Sequence, residues 1–135
     1  MTYMNWSEDF SVKVREIDDQ HKRLIIMLNT LHEALVTERG REVQRKVIND
    51  MINYAVVHFG TEEKYMVQFC YPDHVNHKTE HDRFSVKAAD LKARVDGNRF
   101  VLTLEVLNFL KEWLRNHILV TDRQYSKHFN DRGLH

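Results

Sequence analysis

The sequence predicts an all-α protein, an up-down-up-down four-helix bundle preceded by an N-terminal arm. Three observations carry this prediction. Four segments repeat apolar residues every three or four positions, the spacing that lines one face of an α-helix. Breakers are few, with one proline and four glycines in 135 residues. Strand-like alternation is confined to the arm, and the length suits one domain with one core.

Residues 1–17 read as the arm, in which Trp6, Phe10, Val12 and Val14 are positioned to anchor along the bundle. The bundle domain then covers residues 18–135. The first helix runs from about Asp18 to Glu38, with Ile17, His21, Leu24, Leu28, Leu31 and Leu35 on one stripe, and Gly40 as its stop. A second covers roughly Glu42 to Phe69, with Val47, Met51, Ala55, His58, Glu62, Tyr65 and Phe69 aligned. Pro72 suits the first position of the third helix, where a missing N–H costs nothing. That helix carries His77, His81, Phe84, Ala88, Leu91 and Val95 and ends at Gly97-Asn98. The fourth starts near Arg99, carries Leu107, Leu110, Trp113, Leu114 and His117, and ends around Phe129. Short connections between long helices make neighbours antiparallel, hence the bundle.

Composition excludes several classes. Lys plus Arg equals Asp plus Glu, 20 against 20, with the signs interleaved, so no basic patch marks a nucleic-acid or anionic-membrane binder. The longest apolar run, Leu24 to Leu28, is too short to span a bilayer, and the first ten residues lack the pattern of a secretory signal. A lone cysteine forms no internal disulfide, which agrees with a cytoplasmic location. Cys70 itself reads as a small packing residue beside the turn before Pro72.

The placement of histidines is the main clue to function. Five of the nine lie on the apolar stripes, grouped with two acids: His21, His58 with Glu62, His77 with His81, and His117 with Asp122. Residues four apart on a helix differ by about 40° and one turn, so His58/Glu62 and His77/His81 each aim at one place. His117 and Asp122 are five apart, about 140° on a regular helix, and share a face only if the helix widens locally, as in a π-bulge. Each group alone also fits a bland reading, a core histidine or a chance spacing. All four helices contribute, however, and each contribution interrupts an apolar stripe where an unbonded polar group is costly. Metal coordination removes that cost for all seven together.

Imidazole with carboxylate suits iron, zinc, nickel or copper, and thiolates that would favour a zinc finger or iron–sulfur cluster are lacking. Seven ligands exceed one tetrahedral zinc site but suit two near-octahedral ions bridged by carboxylates and a solvent oxygen. None of the histidines has Glu three residues before it, which argues against the Glu-x-x-His sites of ferritin-like oxidases.

The ordered pattern IDDQH at 17–21, HFGTEE at 58–63, HKTEH at 77–81 and WLRNHILVTD at 113–122 resembles the hemerythrin family, most of all its single-domain bacterial members. The resemblance spans nearly the whole chain. It implies a di-iron centre with an oxo or hydroxo bridge, in which His77, His81 and His117 hold one iron. His21 and His58 would hold the other, with Glu62 and Asp122 bridging, and the open position on the second iron would take dioxygen. The family's pocket positions around that iron are matched by Leu24, Phe59, Trp113, Leu114 and Ile118. The remaining histidines, His32, His74, His128 and His135, match no family role, and Gly60 between His58 and Glu62 has no functional account.

The expected function is reversible dioxygen binding for storage, transport or delivery, by a protein that is not an enzyme. Alternatives of the same architecture are a di-iron peroxidase, a nitric-oxide-handling or iron-cluster repair protein, and an oxygen-sensing module. The expected partners are dioxygen and an oxygen-consuming enzyme, the expected state is a monomer, and nucleic acid and membrane are not expected.

Overall fold

A computed structural model describes residues 3–37, 40–97 and 104–135. Four long helical segments dominate: α1 (Arg15–Val36), α2 (Arg41–Gln68), α3 (His74–Asp96) and α4 (Leu104–Asn116), the last continued by further turns to a short α5 (Ser126–Asp131). No strand occurs among the described residues. Helix α1 packs on both α2 and α4, and α2 packs on α3. Contact between α3 and the fourth segment runs through side chains such as Phe84 and Trp113, whose rings lie 4.0 Å apart.

The stripes bury as their spacing requires. Leu24, Leu28 and Leu31 of α1, Met51 and Ala55 of α2, Phe84, Ala88 and Leu91 of α3, and Leu107, Leu110 and Leu114 of α4 form one large core. A second, smaller core gathers Val12, Val14, Ile17, Met66, Tyr71, Tyr125 and Phe129. On α1, for instance, Ile17 belongs to the small core and Leu24 to the large one, with His21 between them. Helix α2 and the fourth segment also contribute to both cores, with Met66 and Tyr125 in the small one, so the polar side chains sit in a layer between two apolar plugs.

The arm is tied down at several points. The Asp18 carboxylate, in the first turn of α1, accepts the Val12 N–H (2.8 Å) and the Ser11 hydroxyl (2.6 Å). Further along α1, the Asn29 side chain exchanges two hydrogen bonds with the backbone of Met4. Phe10, Val12 and Val14 are buried, while Trp6 is half-buried against the large core. Helix α1 itself begins at Arg15, ahead of the expected Asp18, because the Asp18 N–H already bonds the Val14 carbonyl.

Several boundaries differ from expectation, each for a local reason. Gly40 starts α2 rather than stopping α1: its carbonyl accepts the N–H groups of Val43 and Gln44, and its φ of −56° makes no use of glycine's freedom. Pro72 is not the first residue of α3. It lies in the preceding turn, and α3 begins at His74 with Asp73 as its N-cap. Cys70 is exposed, not packed, and holds a left-handed φ of +52°. There it completes a Schellman-type stop of α2, with Tyr71 N–H bonding Met66 O and Cys70 N–H bonding Val67 O. The expected end of the first helix at Glu38, the Asn98 stop, the stripe position Val95 and the start of the fourth helix near Arg99 fall outside what the structure describes.

Candidate metal centre

Each helix brings its polar side chains into the middle layer by its own register. His21 comes from α1, His58 and Glu62 from α2, and His77 and His81 from α3. The fourth segment solves the five-residue step by changing its winding. A π-helical turn spans His117–Thr121, with the Asp122 N–H bonded to the His117 carbonyl, and a 3-10 turn follows over Asp122–Tyr125. The wider turn turns both His117 and Asp122 inward, and both are buried.

All seven side chains are at least 98% buried and form two groups that overlap. One contains His77, His81 and His117, the other His21 and His58, and Glu62 and Asp122 belong to both. Asp122 divides its two oxygens between them. Its Oδ1 lies 2.8 Å from Nε2 of His117 and 2.9 Å from Nε2 of His77, and its Oδ2 lies 2.9 Å from Nε2 of His21. Glu62 places Oε1 2.7 Å from Nε2 of His58 and Oε2 3.6 Å from Nε2 of His77. Within each group two imidazoles bring Nε2 atoms to 3.0 Å, His21 with His58 and His81 with His117.

Charge in this layer is coupled. Burial alone would raise the Glu62 carboxyl, yet His58, His117 and His77 hold it well below the usual carboxylate range. Burial and the Glu62 charge likewise oppose ionisation of Asp122, and His117 and His21 overcome them. Burial disfavours a charged His77, but Asp122 and Glu62 raise its pKa to about 9. His117 is pushed well above its ordinary value against burial by Asp122, Glu62 and Glu80. Burial and neighbouring His58 lower His21. The metal-free layer thus holds charge by sharing protons among ligands.

The layer fits a metal better than it fits itself. Although imidazole nitrogens approach within 2.7–2.9 Å, none of Nε2 of His77, Oε1 of Glu62 and the two oxygens of Asp122 meets a partner at a hydrogen-bonding angle, and all are buried. Such orphans are rare in folded proteins and cost about 1–3 kcal/mol each. Nitrogen lone pairs converging with carboxylate oxygens are what borderline divalent ions take as ligands.

Side chains outside the layer hold the histidines from behind. Nδ1 of His117 lies 2.6 Å from Oε1 of Glu80, which also accepts the Thr121 hydroxyl. His58 Nδ1 meets the Gln20 amide oxygen at 2.7 Å, and Gln20 donates in turn to Thr61. His81 Nδ1 lies 3.3 Å from Glu63. From the small core, the Tyr125 hydroxyl donates to Oε2 of Glu62 at 2.7 Å. Sequence spacing points to none of the three contacts behind the histidines, whereas Tyr125 lies three residues after Asp122, within reach of the ligands. Tyr125 is buried as a phenol near a core should be, and its pairing with Glu62 on another helix carried no local signal.

Against the layer lies a small cavity lined by Leu24, Phe59, Trp113 and Leu114, with His58 and His117 at its floor and Met51, Ile52, Ala55, Phe84 and Leu110 around it. Its free volume of about 10 Å³ admits one water-sized molecule, and its lining is apolar apart from the two imidazoles. Phe59 stacks on His81 and Trp113 on His117, at ring separations of 4.0 and 4.6 Å. Ile118 is fully buried in the same core but is not among the cavity's lining residues.

The other histidines stay outside. His32 stacks on Tyr3, His128 lies 2.6 Å from the Phe69 carbonyl, His74 is half-buried and His135 exposed.

Comparison with known proteins agrees with this arrangement. Residues 12–128 match the family model described as the hemerythrin HHE cation binding domain. The chain is 33% identical over 126 residues to a bacteriohemerythrin of Methylococcus capsulatus, covering 93% of this chain and 95% of that one. A hemerythrin-like protein of Naegleria gruberi is 29% identical over 121 residues, covering 90% of this chain and 89% of its own. The crystal structure of a wild-type hemerythrin superposes with a TM-score of 0.88 at 33% identity, covering 93% of this chain and 96% of the other.

Proposed function

The chain belongs to the hemerythrin family, whose members in general bind dioxygen rather than act as enzymes, and on that premise we propose that it carries dioxygen reversibly at a non-haem di-iron centre. His77, His81 and His117 would hold one iron and His21 and His58 the other, with Glu62 and Asp122 serving both. The observation that carries this reading is the overlap of the two ligand groups at two shared carboxylates beside an apolar cavity. When bound, an iron pair would supply the electrons that reversible dioxygen binding requires.

The protein's own residues supply orientation and exclusion. Asp122, with an oxygen toward each group, fixes the spacing of the two positions. Glu80 and Gln20 are both hydrogen-bond acceptors, so the Nδ1 atoms of His117 and His58 carry their protons and leave Nε2 free as ligands. Leu24, Phe59, Trp113 and Leu114 keep the cavity beside the site apolar, which discourages entry of water, protons and anions. A cavity this small suits a diatomic gas and leaves no room for an organic substrate. In this role the chain acts as a cytoplasmic monomer that supplies an oxygen-consuming enzyme. No helix among the described residues is long and apolar enough to cross a membrane.

The test is anaerobic reduction of iron-loaded protein, followed by repeated exposure to and removal of dioxygen while the absorption spectrum is followed. Spectra that return after each cycle are expected. Rapid turnover of peroxide with no reversible spectral change would replace the carrier by the enzyme.

A further inference from the structure

The five imidazoles are not supported alike. Behind the three-histidine group stand two carboxylates, Glu80 at 2.6 Å from His117 and Glu63 at 3.3 Å from His81. Behind the two-histidine group stands one neutral amide, Gln20 at 2.7 Å from His58, and Nδ1 of His21 is buried with no partner. The layer is closed to water, with His21, His58, His81 and His117 at most 1% exposed, so these are the contacts that polarise the rings. A carboxylate that accepts an Nδ1–H draws the proton toward itself and makes Nε2 a stronger donor, whereas an amide oxygen does so far less. Lys78 approaches Glu63 only to 4.0 Å, and Glu80 has no cation within ion-pair reach among the described residues other than its histidine.

From this asymmetry we infer that Gln20 is a positioning residue for the dioxygen-binding iron. It orients His58 while withholding charge from it, and so keeps the two-histidine position easier to reduce than its carboxylate-backed neighbour. The inference rests on the di-iron carrier reading and adds a reason for its reversibility. A metal whose ligands are not enriched by negative charge recovers its electron more readily when the gas departs. Gln20 also has the geometry to hold its amide one way round. Its Nε2 donates to Thr61 Oγ1 at 3.0 Å, which leaves Oε1 as the atom facing His58.

The experiment compares Gln20→Glu, Gln20→Ala and Glu80→Gln with the wild type, each loaded with iron under anaerobic conditions and titrated for midpoint potential. The same variants loaded with redox-silent zinc report metal affinity and, by ¹⁵N NMR, the tautomer of each ligand histidine. Gln20→Glu should shift the midpoint downward and Glu80→Gln should shift it upward, both with zinc-bound tautomers as in the wild type. Gln20→Ala should lose zinc affinity by about ten- to a hundredfold, the usual effect of removing a partner behind a ligand. Unchanged potentials in Gln20→Glu and Glu80→Gln, or shifts of the same sign, would overturn the inference, since loss of packing alone moves both variants alike. A wild type that takes up zinc but holds no redox-active iron would instead overturn the carrier reading beneath it.

Discussion

Tyr125 donates its phenolic hydrogen to Oε2 of Glu62 at 2.7 Å, joining the 3-10 turn after the π segment to the middle of α2. Both side chains are fully buried, and the phenol is held far toward its neutral form by burial and by the charges of Asp122 and Glu62. The contact fixes one oxygen of a carboxylate that both ligand groups use. Tyr125→Phe should therefore destabilise the folded protein by about 1.5–3 kcal/mol, the range for a hydrogen bond to a charged group. Denaturant unfolding of the metal-free protein measures this, and an unchanged midpoint would show that the bond contributes nothing.

Removal of ligand histidines should be separable from removal of other histidines. His77→Ala and His117→Ala should lose most bound iron, whereas His32→Ala and His128→Ala should retain about two per chain, as two overlapping ligand groups require. His128→Ala should still cost stability, because its ring nitrogen meets the Phe69 carbonyl. Elemental analysis after ferrous loading decides it, and equal retention in all four variants would mean that the ligands lie elsewhere.

Leu114 lines the cavity and is 3% exposed. Leu114→Ala should cost about 2–5 kcal/mol of stability while leaving the iron ligands in place. The enlarged cavity admits water and protons, so the spectrum of the oxygenated protein should bleach several-fold faster than in the wild type. Iron content measured alongside the decay separates this effect from loss of metal.

Gly60 is exposed in the interior of α2, and a Cβ built there meets nothing within 4 Å. Gly60→Ala should stabilise the protein by up to about 1 kcal/mol through helix propensity, with no change in iron content. A drop in thermal midpoint would show that the glycine is needed for a reason the fold does not display.

The metal-free protein should lose stability with rising pH. His77 titrates near 9 in the folded state against an ordinary value of 6.5, so folding takes up its proton. That contribution is fully present below about pH 6.5 and is lost as pH rises through about 9. His117, also raised, acts in the same direction. Iron-loaded protein, whose imidazoles carry metal in place of protons, should have a higher midpoint throughout and a flatter profile over that window. Thermal melts of both forms between pH 6 and 9 test this, and parallel profiles would contradict it.

The sequence by itself determined the helical class, the four stripes and the inward positions of the polar residues, because these depend on local repeats of three and four residues. The five-residue step from His117 to Asp122 is legible in sequence only as a choice between a widened turn and a solvated acid, and the π segment decides for the widened turn. Turns were less legible. Pro72 fits a helix start in isolation, but the left-handed stop at Cys70 and the cap at Asp73 set the boundary, and these depend on how α2 ends. Only the tertiary structure decided which side chains stand behind the ligands. Gln20, Glu63 and Glu80 each adjoin a ligand in sequence, yet each supports a histidine on the neighbouring helical segment: His58, His81 and His117. Side chains one residue apart diverge by about 100° on a helix, so the residue beside an inward ligand points across the seam toward the next helix. Which partner it meets there depends on the packing of two helices. No repeat along one chain segment records that.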